Sequence, residues 1–308
     1  MSVDPDTYEA RFGPVARRFQ RALRACRWTL KGISRRPRTV LIDLRWRLGD
    51  EIMALPVYSA IKRAHPDCRI VVHCSFPDLL VDNPFVDAVN IPAHPDRYAN
   101  LRGGPRERVR IYHYARAARI DTPDETPALY YRDWSTPLLD ELRGAPRPWV
   151  AVSTGASWPV KRWERTKWLE VVEVMQARGA TVFQAGSGKD EQLGLQYDFV
   201  NRTTVREAAC LLHAADGFLG CDSGLLHLAL AAGIPAAALF GPTDPTILIP
   251  GDPRLTAIPN GRPCFGCWNV SRRMTTEGVC PLSIADCLGT IDPSMVLSAI
   301  GLESAAKD

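Results

Sequence analysis

The chain has 308 residues, of which 46% are hydrophobic and 23% charged, the composition of a soluble globular protein large enough for two domains. Glycine and proline interrupt the longest apolar runs and acidic residues stand near the first residue, so the sequence predicts neither a transmembrane helix nor a secretory signal. The nine cysteines are odd in number and unevenly spaced, which favours a reducing cytoplasm over a disulfide framework.

A basic segment accounts for the net charge of +4, because residues 11–38 contain ten Lys and Arg and no acid. Its apolar residues recur at steps of three and four, which predicts an amphipathic helix beginning near Pro14. Two interpretations stay open: a helix docked on the protein with a solvated basic face, or a helix that attaches to an anionic membrane surface. Nucleic acid is disfavoured as a partner, since the rest of the chain is acidic and shows no aromatic–basic motif.

The first half of the chain alternates apolar runs typical of buried strands with helical patterns. Strands are predicted at 39–44, 69–74 and 86–91, with a helix from Glu51 to about Ala64 and a short helix at 77–81. This alternation predicts βαβ units and a parallel sheet. Residues 92–148 are less regular, and 143–148 have the composition of a linker.

The same alternation restarts after the linker. The predicted strands are 149–153, 181–185, 218–221 and 236–240, and the predicted helices are 166–178, 204–214, 223–232 and 293–306. Two Rossmann-like halves predict a cleft between domains, with a ligand at the carboxyl ends of the strands. The predicted organisation is a basic helix over 1–38, a first domain over 39–145, a second over 146–292 and a C-terminal helix over 293–308.

Two nucleotide-binding motifs are excluded. The stretch Gly186-Ser187-Gly188-Lys189 lacks the earlier glycine and the following Ser or Thr of a Walker A loop, and no Gly-x-Gly-x-x-Gly follows the first strand. The turn at Asp222-Ser223-Gly224 is a better candidate, because a helix start exposes backbone N–H groups and favours anions. Asp and Ser are also common N-caps, so these residues either cap the helix alone or hold a phosphate there.

Four motifs follow the predicted strands in a fixed order: Gly49-Asp50-Glu51, then Gly155-Ala156-Ser157 with Lys161-Arg162-Trp163, then Asp222-Ser223-Gly224-x-x-His227, then Gly241-Pro242-Thr243-Asp244-Pro245. Together, and in this order, the motifs resemble those of glycosyltransferase family nine, the ADP-heptose-dependent heptosyltransferases of the lipopolysaccharide core pathway. The resemblance runs from about residue 39 to 305 and is most specific in the second half.

The resemblance implies an α/β fold of the GT-B type, with two Rossmann-like domains facing a central cleft and a shortened first domain. The acceptor would bind the first domain and the nucleotide-sugar the second. The implied donor-binding residues are Ser157, Lys161, Arg162, Asp190, Thr203, Asp222, Ser223, Gly224 and His227. Simpler structural roles stay open for three of them: Lys161 and Arg162 as solvated loop charges, and His227 as a core histidine.

The resemblance also implies inverting transfer of a heptose from ADP-heptose, with Asp50 as the base that takes the proton of the acceptor hydroxyl. The alternative for Asp50 is an N-cap of the first helix. Positive charge from Lys161 and from the helix start after Asp222 would stabilise the leaving group, so no catalytic divalent metal is expected.

Four cysteines occupy a Pro/Gly-rich loop over 262–289, spaced Cys264-x2-Cys267-x12-Cys280-x6-Cys287. Four thiolates at such spacing can close a tetrahedral metal site. The loop resembles the iron-binding cysteine finger of the heptosyltransferases that modify bacterial autotransporter adhesins, which implies structural iron or zinc. Disulfides and unbound thiols stay open as alternatives.

The leading hypothesis is thus an inverting heptosyltransferase in the cytoplasm, or peripheral on the inner face of the membrane. Its acceptor would be a lipopolysaccharide core sugar, another glycan or a protein Ser or Thr, and it could form a homo-oligomer. Two alternatives are kept: the same fold with another nucleotide-sugar, and a non-catalytic protein that binds a sugar nucleotide or serves in assembly.

Overall fold

A computed structural model of the chain describes residues 37–102, 109–270, 280 and 286–302. Apart from its last two residues, the basic segment 11–38 lies outside these ranges, so both interpretations of it stay predictions. Within the described ranges, every helix is too short or too polar to cross a bilayer.

The first half forms a parallel sheet with the strand order β3-β2-β1-β4. Its strands are β1 (Thr39–Asp43), β2 (Arg69–His73), β3 (Ala88–Val89) and β4 (Arg97–Asn100). Its helices are α1 (Leu48–Met53), α2 (Leu55–Ala64) and α3 (Arg110–Ala118), with single 3₁₀ segments at Pro77–Leu80 and Pro137–Leu142.

Three features of this half differ from the prediction. The strand predicted at 86–91 is only Ala88–Val89. The helix expected from Glu51 to Ala64 is two helices that divide at Ala54, because Pro56 has no N–H with which to continue the hydrogen-bond ladder. Residues 92–148 contain a strand and a helix that their Pro- and Arg-rich composition conceals. Strand β4 pairs in parallel with β1, and α3 follows it.

The second half forms a larger parallel sheet with the order β10-β9-β8-β5-β6-β7. Its strands are β5 (Trp149–Ser153), β6 (Thr181–Gln184), β7 (Tyr197–Asp198), β8 (Gly217–Cys221), β9 (Ala236–Phe240) and β10 (Leu255–Pro259). Its helices are α4 (Arg165–Ala177), α5 (Val205–Ala214), α6 (Gly224–Ala231), α7 (Pro245–Leu248), α8 (Cys267–Val270) and α9 (Pro293–Ala299). The predicted strands and helices between 149 and 240 are confirmed within one residue at each end, whereas β7 and β10 were missed.

A segment of the first half packs against the helices of the second half. The N–H of Leu129 donates to the carbonyl of Ala231 at 3.1 Å, and the Trp134 ring stacks on His213 with centroids 4.0 Å apart. One apolar core accordingly contains residues from both sheets, and a second core covers the other face of the larger sheet. The proposed boundary near residue 145 stays a prediction.

Helix α6 is the element that joins the two halves. Its sequence, GLLHLALA, is apolar nearly all round, which is typical of a buried helix, and its residues from Leu226 to Ala231 are buried. Its start packs against α1, and glycine stands at the contact on both sides. A methyl group on Gly49 would lie 2.8 Å from Cδ2 of His227, and one on Gly224 would lie 3.0 Å from Cβ of Leu48. The close approach of the two helix starts therefore requires glycine at both positions.

Substituting Gly49 tests this contact. Gly49→Ala places a methyl group against the buried ring of His227, and overpacking of this kind costs about 1–3 kcal/mol of unfolding free energy. The matched control is Gly217→Ala, where the new methyl group meets its nearest atom at 3.9 Å. Urea titration should show a loss for the first variant and little change for the second. Equal stability of the two variants would contradict the close approach.

Candidate active site

A cleft of about 390 Å³ opens between α1, the start of α6 and the turn that follows β5. It lies at the carboxyl ends of β1, β5 and β8, where ligands bind in open parallel sheets. Its lining residues are Trp46, Arg47, Leu48, Gly49, Asp50, Met53, Arg110, Ser157, Trp158, Lys161, Asp222, Ser223, Gly224, His227, Thr243, Leu248 and Trp268.

The cleft brings together most of the residues singled out from the sequence. Of the predicted site residues, those that line the cleft are Asp50, Ser157, Lys161, Asp222, Ser223, Gly224 and His227. They come from both halves of the chain and are separated by as many as 177 positions, from Asp50 to His227. The topology of the two sheets thus assembles one site from all four motifs, since Thr243 of the fourth also lines the cleft.

Asp222 and Lys161 form a largely buried ion pair in the cleft. The Lys161 ammonium lies 2.5 Å from Oδ2 of Asp222, and the two side chains are only 14% and 4% exposed, in that order. The Thr243 hydroxyl donates to the same oxygen at 2.5 Å. Burial alone raises the pKa of Asp222, but the charge of Lys161 and these hydrogen bonds outweigh burial and lower it. Asp222 is therefore a carboxylate that holds the lysine in place.

Ser223 is the N-cap residue of α6, as predicted, but its side chain makes no capping bond. Its hydroxyl oxygen is buried and has no hydrogen-bond partner among the described residues, and the same holds for the indole N–H of Trp158. Buried polar groups are normally paired. Both groups line the cleft, so each is available to a polar ligand.

His227 follows one turn after Ser223 and is 6% exposed. Its Nε2 lies 4.0 Å from Oδ1 of Asp222. Burial lowers the pKa of His227, although the nearby carboxylates of Asp222 and Asp50 oppose this effect. The imidazole is therefore neutral at pH 7 and packs against Gly49 at the joint between the halves.

Asp50 lines the cleft from the first half of the chain, opposite the residues of the second half. It is the third residue of α1, whose N-cap position belongs to Arg47, so capping does not account for it. The Tyr114 hydroxyl donates to Oδ1 of Asp50 at 3.1 Å. Tyr114 is 1% exposed, and burial, together with the negative charge of Asp50, raises its pKa well above the ordinary value. The tyrosine is therefore a neutral donor that orients the carboxylate.

Glu51 fixes the loop that begins α1. Its buried carboxylate accepts N–H bonds from Trp46 at 3.1 Å, from Ser75 at 2.7 Å and from Phe76 at 3.0 Å. These bonds tie the start of α1 to the turn after β2. Trp46 and Arg47 are thereby held at the mouth of the cleft.

Three predicted donor-binding residues are outside the cleft lining. Arg162 is exposed and donates to the Ala156 carbonyl at 3.1 Å. Asp190 accepts from the N–H of Gly155 at 2.6 Å and from the N–H of Ser187 at 2.8 Å, which joins the turns after β5 and β6. Thr203 precedes the N-cap of α5. Their contacts with a nucleotide stay predictions.

An aromatic and cationic wall was missed from the sequence. The Lys161 ammonium lies 4.6 Å from the ring centroid of Trp158, and the Arg47 guanidinium lies 5.6 Å from the same centroid. The guanidinium of Arg110 lies 5.4 Å from the ring centroid of Trp268. Of these five residues, Lys161 was predicted as a site residue. Trp158 follows the motif residue Ser157 and Trp268 follows Cys267, whereas Arg47 and Arg110 lie outside the motifs.

The four loop cysteines form no disulfide bonds among the described residues. Cys267 and Cys280 pack against the apolar cluster that contains Cys287. Burial raises the pKa of Cys287 to about 11, and the other three thiols add to the rise. Cys267 donates its N–H to the Cys264 carbonyl at 3.1 Å in a tight turn. No group of three or more His, Cys, Asp or Glu side chains within the described ranges is close enough together to hold a metal ion.

Comparison with known proteins assigns the family. The model of glycosyltransferase family 9 (heptosyltransferase) matches residues 106–276, more than half of the chain. The chain belongs to glycosyltransferase family 9. The resemblance recognised in the motifs is confirmed, and so is the GT-B arrangement of two parallel sheets.

A curated relative of this family 9 chain is the lipooligosaccharide heptosyltransferase 2 of Haemophilus influenzae. The two are 30% identical over 153 residues, which are 45% of this chain and 43% of the relative. The chain therefore matches less than half of that relative's length.

Two solved structures share the fold. The family 9 glycosyltransferase of Veillonella parvula superposes with a TM-score of 0.68 at 14% identity, covering 86% of this chain and 96% of that one. The iron-containing, dodecameric glycosyltransferase TibC of enterotoxigenic Escherichia coli superposes with a TM-score of 0.70 at 20% identity, covering 87% and 76%. TibC has also been solved in complex with ADP-D-β-D-heptose.

Removing the lysine of the buried pair tests the electrostatics of the cleft. Lys161→Met leaves the Asp222 carboxylate buried without its cation, which should cost about 3 kcal/mol of unfolding free energy. Lys161→Met combined with Asp222→Asn removes both charges and should restore most of that loss. Lys189→Met, at an exposed lysine, is the control and should change little. A single Lys161→Met variant as stable as wild type in urea titration would show that the pair is not a buried ion pair.

Proposed function

We propose that the cleft transfers a heptose from ADP-heptose to an acceptor hydroxyl with inversion at the anomeric carbon. The observation that carries this proposal is the juxtaposition of the buried Lys161–Asp222 pair with the Ser223 hydroxyl at the start of α6, facing Asp50 across the cleft. Membership of family 9 supports the reaction class.

The diphosphate of the donor would bind at the start of α6. The N–H groups of Ser223 and Gly224 carry partial positive charge there, and the unpaired Ser223 hydroxyl can donate to a phosphate oxygen. Lys161 supplies a full positive charge that Asp222 and Thr243 hold in place. These groups would stabilise ADP as it leaves, so we expect the reaction to need no catalytic divalent metal.

Asp50 would act as the general base. As the acceptor oxygen forms a bond to the anomeric carbon, the bond from that carbon to the phosphate oxygen breaks and ADP departs. The acceptor proton moves to the Asp50 carboxylate, which Tyr114 orients through Oδ1. Attack from the face opposite the phosphate gives inversion.

The proposal also names a sugar and an acceptor, which the family assignment alone does not give. We favour ADP-heptose because the curated relative and TibC are both heptosyltransferases. The acceptor would be a lipopolysaccharide core sugar or another glycan, with a protein Ser or Thr as the alternative. A screen of nucleotide-sugars, measured by release of nucleoside diphosphate, decides between ADP-heptose and another donor. Binding of nucleotide without any turnover would instead favour a non-catalytic protein.

We also propose that Cys264, Cys267, Cys280 and Cys287 bind one structural iron or zinc ion. The donor set fits, because Cys267 and Cys280 pack against the cluster that contains Cys287, and Cys264 lies in the same tight turn as Cys267. Four thiols at this spacing can give a closed tetrahedral site. The described side chains do not form such a site, so binding would draw the thiols together. A bound metal would order the loop and would have no open position for catalysis.

Replacing Asp50 tests the proposed base. Asp50→Asn keeps the size of the side chain but cannot take up the proton, so transfer should fall by about 10²–10⁴-fold. ADP affinity, measured by calorimetry, should stay within about twofold, because Asp50 belongs to the half opposite the phosphate site. Asp133→Asn, at an exposed carboxylate outside the cleft, is the control. Transfer by Asp50→Asn at a near wild-type rate would remove Asp50 from the mechanism.

Replacing two cysteines tests the metal. Wild-type protein purified without chelators should contain about one metal ion per chain by elemental analysis, and Cys264→Ser with Cys267→Ser should lose it along with thermal stability. Cys26→Ser, a cysteine outside the loop, should keep the metal. Wild-type protein without metal, or a double variant that retains it, would refute the site.

A further inference from the structure

Trp268 enters the cleft from the cysteine loop, directly after Cys267. The backbone on both sides of it is bonded to the turn after β9: the N–H of Gly266 donates to the Gly241 carbonyl at 3.0 Å, and the N–H of Trp268 donates to the Pro242 carbonyl at 2.9 Å. Asn269, which is 1% exposed, accepts the N–H of Asp244 at 2.8 Å. The indole is thus held by the same turn that provides Thr243 to Asp222.

The surroundings of the indole fix its place relative to the reacting groups. Trp268 packs edge-on against the buried Trp158, with ring centroids 5.3 Å apart and planes at 63°. On the other side, the guanidinium of Arg110 lies 5.4 Å from its centroid. Arg110 begins α3, and Tyr114, one turn later in that helix, donates to Asp50. Trp268 therefore lies between the phosphate-side residues and the side of the cleft that holds Asp50.

The geometry points to Trp268 as the wall of the sugar subsite and as a determinant of donor specificity; this inference rests on the proposed function. A sugar attached to a diphosphate at Lys161 must place its anomeric carbon where an acceptor activated by Asp50 can reach it. Trp268 and Arg110 line the same cleft as Lys161 and Asp50. Their contacts place them between those two residues. The C–H face of a pyranose ring is apolar and packs well on a flat indole, while a guanidinium can donate to its hydroxyl groups.

The test compares two ligands by calorimetry in the absence of acceptor: ADP, which lacks the sugar, and ADP-heptose. Trp268→Ala should weaken the binding of ADP-heptose by about tenfold, the effect of losing one aromatic contact, and change the affinity for ADP by less than about twofold. Trp268→Phe keeps a flat ring and should recover most of the affinity for ADP-heptose. Thermal unfolding and metal content are measured on every variant.

The outcomes separate this inference from the proposed function. Equal weakening of ADP and ADP-heptose in Trp268→Ala, or no change for either, would overturn the sugar wall while leaving the donor site intact. If Trp268→Ala does not fold, Trp268→Phe and Trp268→Leu are compared: equal affinity for ADP-heptose in these two would overturn the inference, and weaker binding by the leucine variant would support it. Wild-type protein that binds neither ligand would refute the proposed function itself.

Discussion

The starts of α1 and α6 approach so closely that neither has room for a side chain at the contact. Gly49 lies against the His227 ring, and Gly224 lies against Leu48. Because each helix follows the carboxyl end of a strand, this one contact brings the active edges of both sheets together. Asp50 on α1 is thereby placed opposite Ser223 at the start of α6. The cleft exists where it does because two glycines allow the helices to meet.

The two sides of the cleft carry side chains of different charge. On the side of the second sheet, Lys161 is held by a buried carboxylate whose pKa it lowers. It lies near the start of α6, where the Ser223 hydroxyl has no hydrogen-bond partner among the described residues. On the side of the first sheet, Asp50 is oriented by a neutral tyrosine. A site with cationic and N–H groups on one side and a carboxylate on the other suits a donor whose leaving group is an anion and an acceptor that must lose a proton.

Much of the second half of the chain could be predicted from its sequence, because its strands are continuous apolar runs bounded by glycine and its helices carry clear caps such as Thr204. The first half was harder. Pro56 divides what its apolar periodicity presents as one helix, and β4 is only Arg97–Asn100, a strand too polar and short to show in the pattern. The motifs located Asp50, Lys161 and Asp222, since Asp222 directly follows β8, Asp50 stands in the first turn of the helix after β1, and Lys161 lies in the segment that connects β5 to its next helix. Arg110 and Trp268 were missed because only the folded chain makes them neighbours.

If one donor molecule bridges the two sides of this cleft, a crystal structure of the protein with ADP-heptose should show it. The diphosphate should lie within hydrogen-bond distance of Lys161 and of the Ser223 and Gly224 N–H groups. The anomeric carbon should face Asp50. A diphosphate bound away from Lys161 and the start of α6, or a sugar directed away from Asp50, would contradict it.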